Sequence, residues 1–274
     1  MTSGLLDGRV AVVTGGAAGI GGGITRRFAA EGATVVVNDL DDALLQRTAA
    51  DVQALGVAVV TVLGDIRRPE VVDALAETAL GVADGRIDVL VNNVGDYRPA
   101  GRFLTTSPAR WEELYAINLG HVFACTRAIA PAMIERGSGS IVNVSTVEAF
   151  RGIPGNAVYS AFNAGVNAFT RSLAVEFGRS GVRVNAIAPD LTDTPQTPAE
   201  VMLGGRDPSL VGQWVPLGRF GTPDDCASVA LFLASDLARF VTGHVIPVDG
   251  GTTAASGWYG RAGNKGWTNL PTSP

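Results

Sequence analysis

Short apolar runs and longer amphipathic stretches alternate along this chain almost from end to end. The apolar runs fall at 10–13, 34–38, 57–62, 88–91, 140–144, 182–187 and 244–248, and most are rich in valine and isoleucine. Near-continuous apolar runs of this length, rather than strict alternation, predict strands covered on both faces, as in a parallel sheet. Between them, helical periodicity covers about 22–31, 41–55, 69–83, 109–136, 156–179 and 223–235. Strand and helix in alternation predict an α/β fold, a doubly wound parallel sheet of seven strands. Right-handed crossovers then gather ligands at the C-terminal ends of the strands, so residues that follow a strand directly are the first place to look for chemistry.

The first such place is the most telling. Val10–Val13 breaks into Thr14-Gly15-Gly16-Ala17-Ala18-Gly19-Ile20-Gly21 and then into a helix. Glycines let a backbone approach a pyrophosphate closely, and the helix N-terminus that follows offers free N–H groups and a positive dipole end. The spacing is G-x-x-x-G-x-G, not the commoner G-x-G-x-x-G. A tight turn that only packs helix on sheet would use the same glycines. A phosphate-loop NTPase is excluded, because that loop needs a lysine and the only lysine is Lys265.

After the second run stands Asp39-Leu40. An acid there accepts hydrogen bonds from an adenosine ribose and repels a 2′-phosphate, and no Arg or Lys stands at 17, 18 or 40. That pattern points to NAD rather than NADP, unless Asp39 merely caps the next helix. Asp65-Ile66 after the third run is placed for the adenine edge, though Asp65 also suits a turn. Asn92-Asn93-Val94-Gly95 after the fourth puts two amides and a glycine beside the cofactor path.

Composition narrows the classes. The 274 residues, with 46% hydrophobic content, suffice for one large core: one domain over 1–251 and a tail over 252–274. A net charge of −5 argues against a nucleic-acid surface. The start lacks the basic-then-apolar pattern of a secretory leader, and no apolar run in the sequence approaches membrane-spanning length, so a cytoplasmic enzyme without membrane contact is expected. Cys125 and Cys226 read as core thiols. With two histidines, His121 and His244, and no cysteine pair, no metal site is expected.

Thr14-Gly15-x-x-x-Gly19-Ile20-Gly21, Asn92-Asn93-Val94-Gly95, Tyr159, Val241-Thr242-Gly243 and Val248-Asp249-Gly250-Gly251 occur in order. Over roughly residues 5–251 the chain thereby resembles the short-chain dehydrogenase/reductase family, most closely its 3-oxoacyl reductases. The resemblance implies a Rossmann-type fold, a nicotinamide cofactor, and a homotetramer built through two long helices. It also implies a site in which a tyrosine moves the proton and a serine bonds the substrate oxygen. A lysine there lowers the tyrosine's pKa and holds the nicotinamide ribose, and an asparagine anchors a water beside that lysine. Tyr159 matches the tyrosine and Asn118 the asparagine. By the same resemblance Ile187, Pro189, Thr192 and Thr194 lie at the nicotinamide.

Two positions depart from the pattern. The serine position, thirteen residues before Tyr159, holds Thr146, whose hydroxyl has the same donor and acceptor capacity; Ser145 takes the role if the loop is shifted by one. The lysine position, one helical turn after Tyr159, is Asn163. A free tyrosine titrates near ~10, and a cation about 4 Å away is worth on the order of 4 kcal/mol in a semi-polar site. Without it Tyr159 should stay protonated at neutral pH, which hinders alcohol oxidation more than ketone reduction. Asp190 stands where the family has glycine, so the backbone there is expected to differ.

Residues 195–221, with four prolines, read as a mobile substrate lid. Its apolar members Val201, Met202, Leu203, Leu210, Val211 and Trp214 suit either an apolar substrate or an interface. The tail, with Trp258, Tyr259 and Trp267, could fold over the site and bring Lys265 in as a substitute cation. The expected function is an NAD-dependent secondary-alcohol dehydrogenase or ketoreductase acting on an apolar substrate. The alternative is an NAD(H)-binding scaffold or sensor that has lost efficient catalysis. His121 is expected in the core or an interface rather than as an acid.

Overall fold

The computed structural model describes residues 4–82, 85–255, 257–261, 263 and 265–268. All seven expected strands are present: β1 (Val10–Thr14), β2 (Thr34–Asp39), β3 (Val59–Leu63), β4 (Val89–Asn92), β5 (Gly139–Val144), β6 (Val182–Pro189) and β7 (Val245–Val248). They lie in the order β3-β2-β1-β4-β5-β6-β7 with every neighbouring pair parallel. The chain starts at β1, winds outward to β3, then returns to set β4 on the other side of β1. That reversal leaves a crevice above the C-terminal ends of β1 and β4.

The continuous apolar runs are buried on both faces, as expected of such strands. Ala11 and Val13 face one layer of helices, with Ile24 and Phe28 of α1 (Gly19–Ala30), Leu45 and Val52 of α2 (Asp42–Gln53), and Ala230 and Leu233 of α9 (Pro223–Ala234). Val10 and Val12 face the other, with Leu75 of α3 (Pro69–Gly81), Ile129 and Met133 of α5 (His121–Arg136), and Leu173 of α6 (Ala157–Gly178). Each of the valine, leucine, isoleucine, phenylalanine and methionine side chains among them, fully withdrawn from water, contributes about 1.5–3 kcal/mol. Cys226 belongs to the first layer and Cys125 to the second, on opposite sides of the sheet. Burial pushes their thiols up to about 11 and about 12, so both are free, protonated core residues.

The helix expected over 109–136 is present but not uniform. It runs as α4 (Pro108–Tyr115), a π turn at Ala116–Gly120, and α5, ending at left-handed Gly137. Within this 29-residue stretch an 18-residue window reaches a mean hydropathy of 1.2 and so has membrane-spanning length and composition, which the apolar runs of the sequence did not suggest. Half of it is buried inside the fold, where α5 packs on β4 and β5.

Residues 195–221 are not a structureless loop. They hold α7 (Ala199–Leu203) and α8 (Val211–Trp214). The tail forms a small antiparallel pair, β8 (Tyr259–Gly260) and β9 (Trp267–Thr268), seated on α8: a Cβ at Gly260 would lie 2.6 Å from the Gly212 carbonyl oxygen. Neither pair of elements has a hydrophobic period long enough to read from sequence. Lys265 is exposed on this hairpin and is not among the residues lining the crevice, whereas Trp267's side chain lies outside the described residues.

Candidate active site

The crevice is a cleft of about 680 Å³ running across the strand ends. Of the residues singled out from sequence, Gly15, Gly19, Ile20, Asp39, Leu40, Asp65, Ile66, Asn93, Val94 and Gly95 line it. So do Asn118, Thr146, Tyr159, Asn163, Pro189, Thr192 and Thr194.

At one end the glycine loop is held from several sides. The Asn93 amide donates to the carbonyls of Thr14 and Gly15, both at 3.0 Å, and the Thr14 hydroxyl accepts from the Asn93 N–H. Gly21 does not line the cleft. It lies beneath the loop, where a Cβ would overlap the Gly15 carbonyl oxygen and the Asn93 amide. Gly15 itself has φ +58°, the left-handed region that glycine enters without strain. Helix α1 begins without a side-chain cap and without an acid in its first turn, so its leading N–H groups are open to an anion. Asp39 is not a helix cap. Its carboxylate accepts from the N–H groups of Ala17 (3.0 Å) and Leu40 (2.7 Å), tying β2 to the loop, while Asp41 caps α2. Asp65 is both turn residue and cleft wall, paired with the Arg67 guanidinium, which holds its carboxyl below the usual range. Arg67 is a cation on this wall that the reading of positions 17, 18 and 40 did not include.

Asn92, expected beside Asn93 on the cofactor path, turns the other way. It donates to Asn143 at 2.9 Å, which donates to Thr170, forming a buried polar ladder under the cleft. Adjacent residues of a strand point to opposite faces, so the two amides had to part. His121 is buried as expected. Its Nε2 bonds the Val94 carbonyl at 2.8 Å, and burial drives its pKa down to about 4, so the ring is neutral and serves to fix the 94–95 backbone.

At the middle of the cleft α6 presents Tyr159 and Asn163 on one face. Thr146 follows β5, and its hydroxyl stands beside the tyrosine hydroxyl, accepts from the Glu148 N–H at 3.3 Å and donates to the Pro189 carbonyl at 3.5 Å. Ser145 is turned elsewhere, donating to the Asn163 carbonyl at 3.3 Å. The geometry therefore brings Thr146, not Ser145, to Tyr159. The Asn163 amide donates to the Tyr159 carbonyl of its own helix at 3.1 Å. The Tyr159 hydroxyl titrates above the ordinary tyrosine range. Burial is the main cause, the Glu148 carboxylate adds to it, and the neighbouring Thr146 hydroxyl opposes it. Tyr97, which the sequence did not single out, packs its ring edge-on against Tyr159 with centroids 5.8 Å apart.

Asn118 sits in the π turn, where the extra residue aims its amide at the loop after β4. It accepts from the Asp96 N–H (3.1 Å) and donates to the carbonyls of Asp96 and Leu114. Ile187, expected at the cofactor, is buried within β6, and its carbonyl accepts from the Ser145 N–H. The cleft wall there is made by the residues after it, 189–192. Asp190 fits without a left-handed backbone. The strain falls on the next residue, Leu191, at φ +35°.

The far end of the cleft is less apolar than the lid sequence suggested. Of the six apolar lid residues only Met202 lines it; Val211 is buried elsewhere and Val201 and Trp214 face outward. Ile153 and Leu191 add apolar wall, but Asp96, Arg98, Glu148, Asn156 and Asp190 line it too. Asp190 pairs with Arg151 at 2.6 Å and accepts from the Thr252 hydroxyl at 2.6 Å. Glu148 and Arg151, like Tyr97 and Arg67, are residues that sequence reading missed; for the first two the signal was their place in the loop immediately after β5.

A family model described as Enoyl-(Acyl carrier protein) reductase matches residues 15–253. The (2S)-((R)-hydroxy(phenyl)methyl)succinyl-CoA dehydrogenase subunit BbsD of Thauera aromatica is 40% identical over 252 residues, 92% of this chain and 99% of that one. The 3-oxoacyl-(acyl-carrier-protein) reductase FabG of Thermotoga maritima is also 40% identical, over 90% of this chain and 98% of its own length. Among solved structures, levodione reductase superposes with a TM-score of 0.84 at 33% identity, covering 91% of this chain and 99% of that one.

Proposed function

This oxidoreductase chain belongs to the short-chain dehydrogenase/reductase family, and from that premise we propose that it interconverts a secondary alcohol and a ketone with NAD(H). The observation that carries the reading is the placement of Tyr159 and the Thr146 hydroxyl side by side at the centre of a cleft whose one end is shaped for a dinucleotide. The fit of the cofactor rests on the uncapped start of α1 and on Gly19, where a Cβ would stand in the cleft with only Thr194 near it. Gly15, Gly19, Ile20 and the α1 N–H groups would hold the pyrophosphate, Asp39 and Leu40 the adenosine ribose, and Asp65 and Ile66 the adenine. Asn93–Gly95, Pro189, Thr192 and Thr194 would flank the nicotinamide, with Asn163 at its ribose. When bound, the nicotinamide supplies or accepts the hydride.

The chain's own residues handle the proton and the oxygen. Tyr159 gives its phenolic proton to a ketone oxygen, or takes one from an alcohol, while Thr146 hydrogen-bonds that oxygen. Asn163 brings no charge to Tyr159, so the phenol holds its proton through the neutral range. Reduction, which needs an acid, proceeds there; oxidation, which needs the phenolate, has an alkaline optimum. Asp39 favours NAD over NADP by repelling a 2′-phosphate. The substrate's apolar body would rest on Ile153, Leu191 and Met202. Residues 252–274 are best treated as a tail to the 1–251 domain, its β8 strand bracing α8. A cytoplasmic homotetramer fits the exposed aromatic and aliphatic side chains of the long helices, Phe123 of α5 and Val175 of α6.

The relatives' named activities, a dehydrogenase and a reductase, favour turnover over a non-catalytic scaffold. The experiment is NAD(H) and NADP(H) binding by fluorescence, followed by single-turnover oxidation of the bound reduced cofactor by a ketone panel. Turnover abolished in Tyr159→Phe supports the proposal. Tight binding with no turnover across the panel in either direction contradicts it.

A further inference from the structure

Five carboxylates line the cleft, and four are matched by donors of the protein itself. Asp39 has three backbone N–H groups, Asp65 has Arg67, Asp96 has Arg98, and Asp190 has Arg151 and Thr252. Glu148 is different. Its Oε2 is buried and has no hydrogen-bond partner. The nearby cation, Arg151, is taken by Asp190, and the Asn156 amide lies near the carboxyl. Glu148 stands two residues after Thr146, and its own N–H donates to the Thr146 hydroxyl beside Tyr159. The side chain lines the cleft, so its carboxyl is held one short loop from the place where the reacting oxygen would sit.

We propose that Glu148 is a specificity-determining residue that accepts a hydrogen bond from a second hydroxyl of the substrate, beside the carbinol or carbonyl carbon that reacts. The proposal rests on the alcohol–ketone reading above and names the substrate class within it: diols and hydroxyketones rather than simple apolar alcohols. A buried acceptor without a donor is costly, and a ligand that brings one recovers that cost on binding. A substrate whose reacting carbon carries only hydrocarbon neighbours leaves the carboxyl without that donor and gains nothing there. A cationic substrate group is the weaker fit, since Arg98 lines the same cleft and Arg151 is paired with the neighbouring Asp190. Burial holds the carboxyl near neutrality, at about 7, with Asp190 adding to the effect and Arg151 opposing it. The group thus carries both an acceptor and, when protonated, a donor toward a hydroxyl.

The test compares cyclohexanol with its vicinal diol as substrates for oxidation, using whichever nicotinamide cofactor binds in the fluorescence titration. It is run on the wild type, Glu148→Gln and Glu148→Leu, with cofactor binding as the check that each variant is folded. The wild type should prefer the diol in kcat/KM by on the order of tenfold to a hundredfold. Glu148→Leu should bring the ratio toward one through loss on the diol, and Glu148→Gln, which keeps an acceptor, should retain part of it. A ratio unchanged in Glu148→Leu, an equal fall on both substrates, or a wild type that prefers cyclohexanol overturns the role of Glu148 while leaving the oxidoreductase reading in place. Oxidation of neither substrate by the wild type counts against the alcohol–ketone reading itself, and the proposal falls with it.

Discussion

The two ends of the cleft are built on opposite terms. At the dinucleotide end the cleft's polar side chains are tied up by the chain itself: Asn93 by the Thr14 and Gly15 carbonyls, Asp39 by Ala17 and Leu40. What stays open there is a helix start and a floor of glycines. At the substrate end a buried carboxylate oxygen has no partner, a tyrosine lacks a nearby cation, and Leu191 carries backbone strain. A rigid, self-consistent end suits a ligand that is the same in every turnover. An end with unmatched groups suits the ligand that gives the protein its selectivity.

The largest expected effect comes from breaking the chemistry where the two ends meet. Tyr159→Phe removes the hydroxyl and leaves the cofactor end intact. Turnover should fall by about 10²–10⁴-fold, with reduced-cofactor binding unchanged by fluorescence titration. A comparable rate in the variant would remove Tyr159 from the proton path. Next comes the cofactor end itself. A Cβ at Gly21 overlaps the Gly15 carbonyl and the Asn93 amide, so Gly21→Ala should cost about 1–3 kcal/mol by overpacking, read as a lower Tm together with weakened cofactor binding. An unchanged Tm and affinity would mean that the loop is not the tight structure described.

A smaller effect sharpens the contrast through pH. The Glu148 carboxyl is pushed up to about 7 by burial, against an ordinary 4.5. Between those values the folded chain holds a proton that the unfolded chain has released, so stability falls as pH rises through this window. Thermal melts from about pH 5 to about pH 8 should show that decline in the wild type and a flatter one in Glu148→Gln. Equal slopes would show that Glu148 is not held in a proton-retaining environment. The smallest expected effect is none: Lys265→Ala changes a residue exposed on the tail hairpin, and kinetics should match the wild type. A marked loss of rate would bring the tail into the site.

How far the sequence led follows the same division. The strands were legible because Val10–Val13 and Val35–Val37 are buried on both faces, which leaves an unbroken apolar run. The glycine loop was legible because its chemistry is a matter of spacing. Residues 195–221 and the tail were not, since α7, α8, β8 and β9 are each too short to carry a period. The π turn that aims Asn118 at Asp96 adds a residue inside an otherwise regular helical pattern, and a pattern of apolar positions does not register it. Ile187 was misplaced because the cleft begins only where β6 ends, at Pro189. Glu148 was missed because its importance comes from what surrounds it, with Arg151 drawn away by Asp190, and such pairing exists only in three dimensions.

The most direct test of the account is the pH dependence of kcat/KM for alcohol oxidation in the wild type and in Asn163→Lys. Burial raises the Tyr159 pKa, and Asn163 supplies no charge to bring it down. The account predicts a wild-type rate that climbs into the alkaline range, and a rise displaced to lower pH when lysine stands at 163. A wild-type rate already level at neutral pH, and unmoved by that substitution, would contradict it.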